Sequence, residues 1–143
     1  MPITFYTPRF YVFNNFSAHA IEFRGEFYPT SEHAYQAAKC TDPRGREAIR
    51  NARSPSQAKL LANETYGAAK DPDWESKKVV VLEEILRVKL AQHPEAQDAL
   101  RESGDDAIVE DSPTDYFWGQ GADGSGQNML GKLWMKLRAE SNT

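Results

Sequence analysis

Four side chains with chemistry to offer fall together in one short stretch, Tyr28-Pro29-Thr30-Ser31-Glu32-His33-Ala34-Tyr35-Gln36-Ala37-Ala38-Lys39. Thr30 suits a helix N-cap, because its hydroxyl accepts a bond from one of the first free amides. At about 100° per residue, the helix that follows carries Glu32, Tyr35, Gln36 and Lys39 on one face and Ala34, Ala37 and Ala38 on the other. Alanines let a backbone pack closely into a core, which leaves acid, phenol, amide and amine as the wall of a site. A buried lysine loses its proton and becomes an amine nucleophile, and a carboxylate two turns away can shuttle protons. Two turns separate the Cα atoms of Glu32 and Lys39 by roughly 10 Å, room for a sugar ring between their tips. The residue types alone fit an ordinary exposed Glu-Lys helix equally well.

A second stretch is rich in glycine. Between Val109 and Asn128, the residues Gly119, Gly121, Gly124 and Gly126 precede a helix. Such a run forms either a nest of backbone amides for phosphate or a tight, exposed turn. The spacing of Gly119, Gly121 and Gly124 imitates a dinucleotide fingerprint, but no βαβ unit surrounds it, and no Gly-Lys-Ser/Thr follows to make a P-loop. His19, His33, His93 and Cys40 have no metal-ligand spacing, so no metal is expected. No serine-histidine signature is present either. Arg44, Arg46, Arg50 and Arg53 crowd one region and read either as a solvated helix face or as phosphate contacts.

The elements that must hold these residues can be read from turn and cap signals. Thr4 to Tyr6 suits a strand. Ala20–Phe23 and Glu26–Tyr28 suit a hairpin turning at Arg24-Gly25, with Gly25 at positive φ. Phe13 to Ser17 suits a loop. Asp42-Pro43 opens a helix reaching about Ala52, and Ser54-Pro55-Ser56-Gln57 opens another with capping-box spacing. Asp71-Pro72 opens the longest helix, to about Gln92, with Trp74, Val81, Leu82, Ile85, Val88 and Leu86 as its apolar stripe. Trp74 suits the core or a stacking role against a ligand. His93-Pro94 interrupts, Glu95 to Ser103 makes a short helix ended by Gly104, and Ala107–Glu110 suits a strand. Met129 to Arg138 makes the last helix, with Leu130, Leu133, Trp134 and Leu137 inward.

The class expected is therefore α+β, a mainly helical single domain over residues 1–143 with a few short, mostly N-terminal strands. At 143 residues with 40% hydrophobic side chains, the chain can bury one core. Its net charge of −4 argues against sequence-independent DNA binding, which needs many basic contacts. The longest aliphatic run, Val79 to Leu82, is far too short to span a membrane, and the first residues lack a signal-peptide pattern. With Cys40 the only cysteine, no intrachain disulfide is possible, and a cytoplasmic location is expected.

Taken in order, Phe16-Ser17, Tyr28 to Lys39, Asp73-Trp74-Glu75, Asp115-Tyr116-Phe117-Trp118-Gly119-x-Gly121, and Gly124-x-Gly126-x-Asn128-Met129-Leu130-Gly131 resemble the NADAR family from about Phe5 to Arg138. Departures are Cys40, where an aromatic is common, and a less basic segment from Ala62 to Ala69. The resemblance implies an N-glycosidase without a cofactor. Its substrate would be a small ribosylaminopyrimidine phosphate of riboflavin synthesis or an ADP-ribosylated guanine, free or in nucleic acid. In both, C1′ of ribose is bonded to an exocyclic amine, and such a glycosylamine can open to an imine.

By the same resemblance, Lys39 attacks C1′ to give a Schiff base, and Glu32 moves the protons. Asp115 orients water or a ribose hydroxyl, and Tyr35 and Trp118 stack on base or sugar. Asn15, Gln36 and Asn128 bind hydroxyls, Gly119, Gly121, Gly124 and Gly126 bind phosphate, and Phe16, Ser17 and Trp74 complete the binding set. Direct displacement assisted by Glu32 is the other route to the same products. A sensor that binds ADP-ribose or a nucleotide without cleaving it and a purely structural adaptor are the competing classes. The sequence leaves oligomeric state open.

Overall fold

The computed structural model describes residues 2–141. Met1, Asn142 and Thr143, the ends of the expected domain, lie outside the described residues. Within that span the chain packs as two compact units, one built from residues 15–92 and the other from the segments on either side of it.

The unit formed by residues 15–92 begins with a hairpin. Strands β2 (Ile21–Phe23) and β3 (Glu26–Tyr28) pair antiparallel, with Ile21 opposite Tyr28. Both turn residues are left-handed, Arg24 at φ 53° and Gly25 at φ 84°, which is the two-residue turn whose twist matches the strands. The positive φ expected at Gly25 is shared by Arg24, where a side chain makes it costly. Arg24 is held in it by two hydrogen bonds from its guanidinium to Glu84, at 3.1 and 2.9 Å, and by stacking over the Phe23 ring at 4.8 Å.

Helix α1 (Ser31–Lys39) follows, capped by Thr30, whose Oγ1 accepts from the His33 amide at 3.1 Å. Helices α2 (Pro43–Arg50) and α3 (Pro55–Leu60) pack against α1, and each opens as its signals predict. The Asp42 carboxylate accepts from the Arg44 amide at 2.9 Å, and Ser54 Oγ accepts from the Gln57 amide at 3.0 Å. A single π-turn, Leu61–Thr65, continues α3, and a short 3-10 turn, Gly67–Ala69, leads on to α4 (Trp74–Gln92). Neither turn carries a sequence signal. On α4 the buried stripe is Trp74, Val81, Leu82, Ile85, Leu86 and Lys89, while Val88 is only half-buried. Lysine thus takes the core position that valine was expected to fill.

The other unit joins the N-terminal segment to the C-terminal third. Strand β1 (Ile3–Thr4) pairs in parallel with β4 (Ile108–Val109), in the register Ile3 to Ile108. Residues Pro8–Phe13, where no element was expected, wind into a 3-10 helix against α5 (Pro94–Glu102). Helix α6 (Met129–Ser141) buries Leu130, Leu133, Trp134 and Leu137 as its spacing predicts and runs one turn beyond the expected end. Trp134 is fully buried, tilted against Phe13 at 4.9 Å, and its indole N–H donates to Phe13 O at 3.0 Å. That satisfies the one polar atom of the ring, so its large apolar area is buried without a desolvation penalty. Helices predominate over two short two-stranded sheets, as the α+β expectation holds. Among the described residues no helix is long and apolar enough to cross a membrane.

Candidate active site

Helix α1 is buried along nearly its whole length, from Ser31 to Ala37. Glu32 is only 7% exposed and Gln36 3%, which removes the reading of α1 as an ordinary surface Glu-Lys helix. Two anchors seat its first turn. The His33 ring bridges Thr30 Oγ1 at 2.8 Å and Ala52 O at 3.0 Å. Since the carbonyl only accepts, Nε2 carries the proton and Nδ1 accepts from the threonine. Burial lowers the His33 pKa, consistent with this neutral ring. The Glu32 amide donates to Asn15 O at 3.0 Å, tying the loop before β2 to the start of the helix.

The Glu32 carboxylate is held from one turn further on. Gln36 Nε2 donates to Glu32 Oε2 at 2.7 Å, and this leaves Gln36 Oε1 buried with no hydrogen-bond partner among the described residues. Asn15 Oδ1 and Ser31 Oγ are in the same condition. Buried orphan acceptors of this kind carry a desolvation cost, and three of them lie on or beside the turn that holds the acid.

At the other end of α1, Lys39 is half-buried, and its Nζ donates to Asn63 Oδ1 at 2.6 Å. Asn63 lies in the π-turn, and single π-turns are frequent where a helix is distorted to aim a side chain. The Lys39 pKa is lowered by burial first, and next by the positive charge of Lys70; Lys59 adds to this, while Glu32 and Glu75 pull the other way. A lysine pushed down in this way keeps more free amine near neutral pH. One helix thus carries a buried carboxylate and a half-buried amine that feel one another's charge.

Other candidates have different fates. Trp74 is 3% exposed and meets Tyr35, 8% exposed, edge to face at 5.2 Å, so both rings serve the core and neither keeps a free face for stacking on a ligand. Ser17 is fully buried. Its hydroxyl accepts from Lys89 Nζ at 2.8 Å and lies 2.8 Å from His19 Nδ1, so it is not available to bind substrate. Phe16 is half-buried. Lys89 escaped notice in the sequence, although its i+3 and i+4 spacing from Leu86 and Ile85 places it on the apolar stripe. Of the arginine cluster, Arg44 lies 3.8 Å from Asp42 and Arg50 lies 3.7 Å from Glu26, which favours the solvated-face reading.

The glycine segment belongs to the other unit. Several of its amides are engaged within the loop itself. Gln120 N donates to Glu110 O, Gly124 N to Gly121 O, Gly126 N to Gln120 O, and Asn128 N to Gly119 O. Asp115 Oδ1 accepts from the amides of Phe117 and Trp118 at 2.9 and 2.8 Å, the geometry of a turn-forming aspartate. Asn128, left-handed at φ 51°, accepts from Glu110 N at 2.8 Å and donates to Ile108 O at 3.0 Å, which ties its amide to β4 and the residue after it. Gly119 and Gly126 are required by close approach to backbone: a Cβ on Gly119 would meet Asp115 O at 2.9 Å, and one on Gly126 would meet Gly119 O at 2.5 Å. Trp118 stays half-buried beside Phe117, at 4.8 Å edge to face.

Missed in the sequence was Glu110, 8% exposed, which accepts from the Tyr6 hydroxyl at 3.3 Å. Burial, helped by Asp111, raises the Glu110 carboxyl to about 7; Tyr6 as a whole is exposed, and partial desolvation of its phenol, with the charge of Glu110 next, raises it to about 12. Among the described residues, no three His, Cys, Asp or Glu side chains are grouped to hold a metal.

With this geometry in place, comparison with known proteins is informative. The NADAR domain matches residues 4–141. The chain belongs to the NADAR family. This NADAR chain is 38% identical over 128 residues to N-glycosidase YbiA of Escherichia coli K12, covering 90% of the chain and 79% of that protein. It is 34% identical over 145 residues to the chloroplastic riboflavin biosynthesis protein PYRR of Zea mays, covering 92% of the chain but 23% of that longer protein. The NMR structure of E. coli YbiA superimposes with a TM-score of 0.88 at 36% identity, covering 99% of this NADAR chain and 85% of that one. The fold described above is therefore the fold of that relative.

Proposed function

We propose that this NADAR protein is an N-glycosidase that cleaves the bond between ribose C1′ and an exocyclic amine, with Lys39 as nucleophile and Glu32 as the proton-transfer group. The observation that carries the proposal is the pairing on α1 of a half-buried amine, its pKa lowered and its position fixed by Asn63, with a buried carboxylate fixed by Gln36. The names of the relatives supply the reaction class, hydrolysis of an N-glycosyl bond. The small-molecule branch, a ribosylaminopyrimidine phosphate, is favoured by the relative named for riboflavin biosynthesis. The single thiol, Cys40, is buried, which fits action in a reducing cytoplasm.

In this scheme the glycosylamine opens to an imine at C1′. The neutral Lys39 amine adds to that carbon, and the amine of the base departs with a proton from Glu32, leaving a Schiff base between Lys39 and the sugar. Glu32, now ionised, takes a proton from water as the water adds to C1′. The carbinolamine then collapses to the sugar aldehyde and free Lys39. Both proton transfers return Glu32 to its starting form, as general acid-base catalysis requires. Borohydride added during turnover tests the route. A reduced sugar adduct on Lys39, absent in Lys39→Ala, supports it; full activity in Lys39→Ala without any adduct leaves direct displacement in its place.

A further inference from the structure

The phosphate of such a substrate needs a partner within reach of Lys39, and the surroundings of Lys39 supply one. Lys70 is fixed beside it by backbone pairing. Cys40 and Lys70 form an antiparallel bridge, Thr41 N donates to Ala69 O at 2.8 Å, and Asp71 N donates to Lys39 O at 2.9 Å. Lys59 lies on α3 one helical turn before Asn63, whose side chain reaches Lys39. Both lysines act on Lys39 through their charge.

The carboxylates facing the same amine are Glu32 and Glu75, and Glu75 is shared. It pairs with Lys78 at 2.5 Å and reaches Lys70 only at 3.4 Å. Lys59 has no acidic partner among the described residues. Lys59, Lys70 and Asn63 are all exposed, and Asn63 Oδ1 is engaged by Lys39, which leaves its Nδ2 as a donor on the same side.

We propose that Lys59, Lys70 and the Asn63 amide form a phosphate subsite beside Lys39 that holds the phosphoryl group of the sugar whose C1′ Lys39 attacks. The inference rests on the reaction proposed above. Two lysine point charges and an amide N–H suit a dianion with several acceptor oxygens. Bound there, the phosphate fixes the sugar's far end while C1′ meets the amine, which is how remote binding energy is turned into orientation. The shared ligand chemistry is a phosphoryl group, from a ribosylamine 5′-phosphate or from the diphosphate of ADP-ribose.

The test is the ratio of kcat/KM for a ribosylaminopyrimidine 5′-phosphate to that for its dephosphorylated form. It is measured at the pH optimum of each protein, in the protein as it stands and in the Lys59→Gln/Lys70→Gln double variant. The expected result is a fall in that ratio of about tenfold to a hundredfold. An unchanged ratio, with both substrates losing equally, overturns the subsite and leaves the two lysines as modulators of Lys39 alone. If the unaltered protein cleaves neither substrate, the reaction reading fails by itself, and the subsite is judged by NMR titration with inorganic phosphate and with pyrophosphate. Shifts at Asn63 that vanish in the double variant uphold it, and tighter pyrophosphate binding points to the diphosphate source. Shifts confined to Gly119–Gly126, or no shifts, overturn it.

Discussion

Lys39 Nζ stands 2.6 Å from Asn63 Oδ1, an acceptor 24 residues away supplied by a one-turn π-distortion at the end of α3. The bond holds an amine that burial and the neighbouring charge of Lys70 have made easier to deprotonate. Position and protonation state of one nitrogen are thus set by two independent parts of the same unit.

A pH profile checks the protonation side. Lys39 acts as the free amine and Glu32 as the acid, so kcat/KM should be bell-shaped in pH, with the limb set by Lys39 below the range of an unperturbed lysine. Removing a like charge with Lys70→Gln should move that limb to higher pH. Lys39→Arg, which stays protonated, should reduce turnover to background. A limb that does not move in Lys70→Gln counts against Lys39 as the titrating group.

Glu32→Gln keeps the size of the side chain and an oxygen to accept from Gln36, while ending proton transfer. Turnover should fall by about 10²- to 10⁴-fold. Substrate affinity, measured by equilibrium titration, should change by less than about threefold, since the exchange removes no binding donor. An equal loss of affinity and turnover would make Glu32 a binding group instead.

Glu110 offers a stability test with a definite sign. Its folded pKa, about 7, lies above the ordinary 4.5, so the folded protein binds this proton more tightly than the unfolded chain. The contribution is complete below about pH 4.5 and is lost as the pH rises through 7. In Glu110→Gln, which retains an acceptor for Tyr6, the loss is absent. Thermal unfolding should therefore show the variant gaining on the parent between pH 5 and pH 8, by on the order of 2 kcal/mol. Parallel curves across that range would falsify the assignment.

Gly131 marks where α6 meets β4 with no room to spare. A Cβ there would overlap Ile108 O, and would stand 2.5 Å from one atom of the Asn128 amide and 2.6 Å from the other. The nearest obstacle is backbone in a strand, so relief requires moving the β1–β4 pair. Gly131→Ala should cost about 3 kcal/mol or more, as overpacking against a fixed strand does. Gly67→Ala, with nothing within 4 Å of the added carbon, is the control and should be near neutral by denaturant titration.

What could be read in advance followed from local chemistry. Thr30, Asp42 and Ser54 each cap the helix they were expected to cap, because a cap is a bond between a side chain and an amide two or three residues away. Leu130, Leu133, Trp134 and Leu137 face inward because helical spacing alone puts them on one stripe. The Glu32 and Lys39 pairing was legible for the same reason. The 3-10 helix Pro8–Phe13 and the π-turn were not, since each is a compromise with tertiary packing and lacks a periodic or capping signal.

Contacts within a few residues thus account for the starts of α1, α2, α3 and α6, the inward stripe of α6 and the face shared by Glu32, Gln36 and Lys39, whereas α4 begins at Trp74, two residues after the expected Pro72. Which polar groups are spent and which remain in reserve follows from long-range packing. Packing gives several amides of the glycine loop, the hydroxyl of Ser17 and one N–H of the Asn128 amide to internal bonds, and it buries Trp74 and Lys89. It also brings Asn63 and Lys70 to Lys39. The physical reason is range: a backbone turn is fixed by near neighbours, whereas burial, hydrogen-bond satisfaction and the charge around an amine depend on segments that folding alone brings together.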